Sequence, residues 1–124
     1  MPLNFETLDG KIKKLKSTTK FIEGVSIASP DGLILISTYP DNTTKDRVGA
    51  MSSELLISNS KTSGELDCGN LMSSLILGTK GGIILHSINE EMVLVTKILP
   101  GAKVGVIFTE TINTAKDIRK MEKG

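Results

Sequence analysis

Aromatic side chains are nearly missing from this chain: no tryptophan, one tyrosine and three phenylalanines, 3% of 124 residues. Proteins that grip single-stranded nucleic acid stack bases on aromatic rings, and this chain has few to offer. Fifteen basic residues against fourteen acidic ones leave a net charge of +1, without the basic footprint of a duplex binder. No nucleic-acid partner is expected. The aromatics that commonly line small-molecule pockets are scarce as well. A single cysteine, Cys68, has no internal disulfide partner, which suits a reducing compartment. The longest apolar runs are four residues, as in Leu33 to Ile36, far short of a membrane span. No basic-then-apolar leader opens the sequence, so a cytoplasmic chain without membrane insertion is expected.

What is present suits one soluble globular domain over residues 1–124. Hydrophobic residues make up 39% and charged residues 23%, and neither a repeat nor a low-complexity linker divides the chain. Phe5, Leu8, Ile12 and Leu15 form one apolar helical stripe, with Asn4 as N-cap and Gly10 as a mild weakness. Two β-rich runs, Phe21 to Ser29 and Leu33 to Ser37, flank the turn Pro30-Asp31-Gly32 and read as a hairpin. The second run is apolar on both faces, which predicts a sheet covered on both sides. Thr43 with Asp46 three residues on resembles a capping box that starts a helix ending near Gly64. Strands follow at Leu71 to Leu77, Ile83 to Ser87 and Met92 to Lys97, joined by connections short enough for hairpins. Pro100-Gly101 opens a last helix that buries Val104, Ile107, Phe108, Ile112, Ala115, Ile118 and Met121. The order α-β-β-α-β-β-β-α predicts an antiparallel sheet between helical layers, an α+β fold.

Reactive chemistry is hard to assemble from these residues. Gly78-Thr79-Lys80-Gly81-Gly82 has the composition of a phosphate loop, but its lysine precedes the glycine pair and it joins two strands, so it reads as a turn. His86, the only histidine, lies mid-strand without a neighbouring ligand for a metal or a partner for a nucleophile. Cys68 follows Asp67 rather than a cation and reads as inert. Glu90-Glu91 reads as a solvated turn. No catalytic residue, metal or cofactor is expected.

Surface features are left to carry function. In the middle helix Val48, Met51, Ser52, Leu55, Leu56, Asn59 and Thr62 form the stripe that faces the sheet. A second strip, Ala50, Ser53 and Ile57 flanked by Glu54 and Lys61, is rich in small residues and reads either as a partner surface or as a solvated face. The terminal helices are mildly basic. Lys11, Lys13, Lys14, Lys16 and Lys20 stand against Glu6 and Asp9, and Lys116, Arg119, Lys120 and Lys123 against Asp117 and Glu122. Such a face serves solubility, or contact with an acidic partner or with lipid headgroups.

The element order, the segment from Glu23-Gly24-Val25 into Ser29-Pro30-Asp31-Gly32-Leu33-Ile34, and the run Leu99-Pro100-Gly101-Ala102-Lys103-Val104-Gly105 together resemble the roadblock/dynein light chain family. The similarity covers roughly Phe21 to Met121. Lys103 stands where the family commonly has asparagine, a departure in the loop. The resemblance implies a profilin-like three-layer α/β/α domain, with a five-stranded antiparallel sheet between the middle helix and the two terminal helices. It implies dimers formed by packing middle helices and joining third strands, which points to Ala50, Ser53, Glu54, Ile57, Lys61, Leu71, Ser73 and Leu75 as a dimer interface. A homodimer, or a heterodimer with a paralogue, follows. It also implies a small Ras-like GTPase as partner, bound by a protein that does not itself hydrolyse nucleotide. Arg47 and Glu54 are the expected GTPase-facing residues, acting by remodelling switch loops rather than by an arginine finger. The alternatives are a scaffold subunit of a motor- or membrane-associated complex with no effect on hydrolysis, and a profilin-like actin binder, against which the missing tryptophan argues.

Overall fold

The computed structural model describes residues 4–123. Helix α1 (Phe5–Ser17) begins where Asn4 Oδ1 accepts a hydrogen bond from the Thr7 backbone N–H at 2.7 Å. Leu8, Ile12 and Leu15 are buried as the stripe predicts, whereas Phe5, in the first turn, is exposed. Strands β1 (Ile22–Ala28) and β2 (Ile34–Ser37) form the first hairpin, turned by Gly32 at φ 99°. That left-handed conformation favours glycine, and it accounts for the Pro-Asp-Gly signal.

Helix α2 (Asn42–Glu65) is capped by Asp41 rather than by Thr43. The Asp41 carboxylate accepts from Thr44 N–H at 2.8 Å and from the Thr44 hydroxyl at 2.6 Å, and these bonds hold its pKa below the ordinary value. An ionised aspartate accepts two donors at once and complements the helix dipole, so it outcompetes the threonine two residues on. Strands β3 (Ser73–Gly78), β4 (Gly81–Ser87) and β5 (Val93–Ile98) form the expected meander. The sequence places the first residue of β3 at Leu71, but Leu71 and Met72 belong to the preceding connection. Helix α3 (Val104–Lys123) starts after Pro100-Gly101 rather than on it. Gly101 sits at φ 89°, outside helical space, so the pair makes a turn.

The sheet is antiparallel throughout, in the order β2-β1-β5-β4-β3. Its two faces are packed very unequally. On one face α1 and α3 pack against the sheet, and fourteen side chains of the described residues are buried between them, among them Ile12, Ile27, Ile84, Leu94 and Ile118. On the other, α2 covers only Leu85, Val93 and Val95, with Val48, Leu55, Leu56 and Ile83 half-buried around them. The apolar periodicity of α3 misses Thr111, which is buried, donates to Ile107 O at 2.8 Å and is hydrogen-bonded to the Thr96 hydroxyl at 3.2 Å. Strand β2 departs from the expectation of two covered faces. It is an edge strand, and Leu33 and Leu35 stay exposed.

Among the described residues of α2, only Gly49 and Ser52 are fully buried. A Cβ on Gly49 would lie 2.2 Å from Gly32 O, so α2 rests on the first hairpin backbone to backbone. Glycine inside a helix ordinarily costs about 0.5–1 kcal/mol relative to alanine. Gly64, in the same helix, has nothing within 4 Å of its missing Cβ. Gly64→Ala is therefore expected to stabilise the protein by about 0.5–1 kcal/mol, while Gly49→Ala destabilises it by about 1–3 kcal/mol through overpacking. Urea unfolding followed by circular dichroism checks both. Equal shifts of the same sign would show that the hairpin contact does not anchor α2.

Candidate functional site

The thinly covered face of the sheet directs attention to α2 and the open edge at β3. Ala50, Glu54, Ile57 and Lys61 are exposed on α2, Ile57 to 70%. Ser53 is half-buried because it turns toward the first hairpin, where its Cβ lies 3.4 Å from the position of a Cβ on Gly32. Met51, placed by its helical phase on the sheet-facing stripe, is 48% exposed. It lies on the flank of α2 away from Gly49, where no strand reaches over to cover it. Thr62, assigned to the same stripe, is exposed as well.

Strand β3 pairs with β4 on one side only, so its other side offers unpaired backbone N–H and C=O groups. Leu75, Ile76 and Leu77 are all exposed along it. Asn59 of α2 donates to Ser74 Oγ at 2.7 Å, which fixes Ser74 and Ile76 on the α2 face. Ser73 and Leu75 consequently point to the opposite face, that of α1 and α3. Leu71 is half-buried in the loop before the strand. The residues expected at an interface thus fall into two groups, one on the outer side of α2 and one along the β3 margin. Met51, Ile76 and Leu77 are exposed beside them. The signal for two of them in the sequence is the uninterrupted apolar run Leu75-Ile76-Leu77.

Arg47 and Glu54 are both exposed, two helical turns apart and on the same side of α2. Neither forms an ion pair among the described residues, where the ion pairs are Lys13–Asp9 and Lys97–Glu23. The second of these belongs to a small polar cluster on the α2 face. Glu23 Oε2 accepts from Lys97 Nζ at 2.8 Å and from the Tyr39 hydroxyl at 3.0 Å. The lysine above all holds the Glu23 carboxyl below its ordinary pKa, and burial together with Glu23 pushes the Tyr39 phenol up. Tyr39 lies flat against Gly24, whose missing Cβ would sit 2.2 Å from the ring. The pairing locks the loop after β2 onto the sheet.

His86 is buried, and its Nδ1 is hydrogen-bonded to the Ser73 hydroxyl across the β3–β4 ladder. Burial, and secondarily the Lys116 ammonium, hold its pKa below the ordinary 6.5. Of the basic residues at the chain ends, Lys116, Arg119 and Lys120 are exposed on α3, and the side chains of Glu122 and Lys123 lie outside the described set. Cys68 is free and exposed. No group of histidine, cysteine or acidic residues able to hold a metal ion occurs among the described residues, and no described helix is long and apolar enough to cross a membrane.

The family model of the Roadblock/LC7 domain matches residues 8–97, and the chain belongs to this family. An uncharacterized protein of Methanocaldococcus jannaschii is 30% identical over 105 residues, covering 83% of this chain and 90% of its relative. Among solved structures, Myxococcus xanthus MglB superposes with a TM-score of 0.86 at 11% identity, covering 98% of both chains. A Roadblock/LC7 domain from Streptomyces avermitilis superposes at 0.85 with 16% identity, over 94% of this chain and 98% of its own. The shared property at these identities is the fold.

The depressed His86 pKa has a consequence for stability. An unfolded chain binds a proton at this residue more readily than the folded one, so stability is complete above 6.5 and falls as pH drops through that value. The urea midpoint is expected to decline in that window. His86→Asn, which keeps an acceptor for the Ser73 hydroxyl, flattens the decline. An unchanged slope in the variant would assign the effect to other groups.

Proposed function

We propose that this protein is a non-catalytic, dimeric binding module that recruits or regulates a small Ras-like GTPase. The observation that carries the reading is the pairing of an open, apolar β3 edge with a barely covered α2. Leu75, Ile76 and Leu77 lie beside unpaired backbone groups, and Met51 and Ile57 are exposed on the helix above the sheet. A monomer with this edge is a template for uncontrolled strand addition. A two-fold pairing of β3 with its copy, with the α2 helices packed alongside, satisfies the backbone and buries the apolar residues together. In this reading Ala50, Ser53, Glu54, Ile57, Lys61, Leu71, Ser73 and Leu75 contribute to the interface, joined by Met51 and Ile76.

Membership in a family whose proteins commonly bind small GTPases supports the partner class. Two antiparallel α2 helices would give a continuous platform on the outer face of the dimer, with Arg47 and Glu54 among its exposed charges that form no ion pair among the described residues. An arginine finger contributes about 10³–10⁵ in hydrolysis rate. Arg47 is exposed with no partner to aim it among the described residues, so remodelling of switch loops or scaffolding fits better than insertion of Arg47 into a nucleotide site.

Two measurements test this reading. The protein is expected to run as a dimer by light scattering at micromolar concentration, and Ile57→Asp to convert it to a folded monomer, because an unpaired buried charge costs several kcal/mol. A dimer that tolerates Ile57→Asp places the interface elsewhere. In hydrolysis assays with a bound Ras-like GTPase, Arg47→Ala is expected to lower any stimulation by less than about tenfold, against the far larger loss that removal of a finger produces. Binding with an unchanged rate of hydrolysis assigns the scaffold role.

A further inference from the structure

A cleft of about 540 Å³ opens between the segment before β3, the end of β4 and the outer side of α3. Its floor includes His86, its walls Leu71 and Met72, and its rim Arg119 and Glu90. His86 is only 7% exposed, and its Nδ1 is taken by the Ser73 hydroxyl. With that hydroxyl as donor to Nδ1, the proton of the neutral ring sits on Nε2. Nε2 has no partner among the described residues. It also keeps contact with the cleft, because the only fully buried side-chain polar atom without a partner among the described residues is Ser52 Oγ. A buried N–H donor therefore faces an open, partly apolar cleft.

The charges around it are uneven. Lys116 and Arg119 approach from α3, Glu90 from the β4–β5 turn, and none of the three forms an ion pair among the described residues. Burial first, and then the Lys116 ammonium, disfavour protonation of the ring, and no carboxylate among the described residues offsets them. A single donor, a guanidinium suited to bidentate oxyanion contacts and two aliphatic walls define the complement.

We propose that this cleft binds a small organic anion, with its carboxylate or phosphate head between the His86 ring and the Arg119 guanidinium and its apolar part along Leu71 and Met72. The site opens on the α1–α3 side of the sheet, away from α2, and shares Leu71 with the proposed β3 interface. It is also pH-linked. A bound anion offsets the repulsion from Lys116 and raises the His86 pKa, so by reciprocity the anion binds more tightly as pH falls through that of the ring.

Because His86 is the only histidine, its ring proton resonances report on the site without assignment ambiguity. The full-length protein is titrated at constant ionic strength with hexanoate, phenyl phosphate, inorganic phosphate and chloride. A saturable shift of the His86 resonances with hexanoate or phenyl phosphate is expected, accompanied by a raised ring pKa. Whichever of the two binds identifies the head group as carboxylate or phosphate. Arg119→Gln, at an exposed position, is expected to weaken binding by about tenfold or more while leaving the free-state spectrum intact. Equal shifts with chloride, a linear response to every anion, or an unchanged affinity in Arg119→Gln overturns the proposal.

Discussion

The pairing of β1 with β5 holds this domain together. It joins residues 22–28 to residues 93–98 and so unites two local units, the first hairpin and the three-strand meander, into one sheet. Local hairpins of this length are marginal in water by themselves. Once β1 and β5 are zipped, Val25, Ile27, Leu94 and Ile98 line up on one face, and α1 and α3 from opposite ends of the chain can close over them. The two edges of the sheet follow from the same pairing, since it places β5 at the centre and leaves β2 and β3 outermost. The available surface of the protein is a by-product of how its chain is closed.

Much of this architecture was legible in the order of residues. The spacing of Leu8, Ile12 and Leu15 identified α1 and its buried side, Asn4 its cap, and Pro30-Asp31-Gly32 the first turn. These signals are local, and local preference agreed with the tertiary result. The misreadings share a physical origin. Asp41 displaced Thr43 as the cap of α2 because a carboxylate that takes both Thr44 donors is stronger than a hydroxyl. The coverage of β2 was overestimated because two-sided hydrophobicity does not distinguish a central strand from an edge strand. Phe5 and Met51 obey the helical period but extend past the neighbours that could bury them.

The surface was legible as residue types and not as geometry. Ala50, Ser53 and Ile57 were identifiable as a second strip of α2 from their phase, yet the face of β3 that accompanies α2 depends on the Asn59–Ser74 hydrogen bond. That bond sets Ile76, rather than Leu75, beneath the helix. His86 looked isolated in sequence because its partner Ser73 and its neighbours Lys116 and Arg119 come from other elements. Cross-strand register brings Ser73 to it and the packing of α3 brings the two cations, and one-residue differences in register reverse every side chain.

The contact between Gly49 and Gly32 has a consequence for how such a domain diversifies. The helix is seated by backbone against backbone, with Ser52 as its only other fully buried residue. Few side chains of α2 therefore answer to the interior. The outward positions are free to drift in size and charge while the scaffold beneath them stays the same. A duplicated gene could exchange one set of associates for another by rewriting a single helical face, with no repair required in the core.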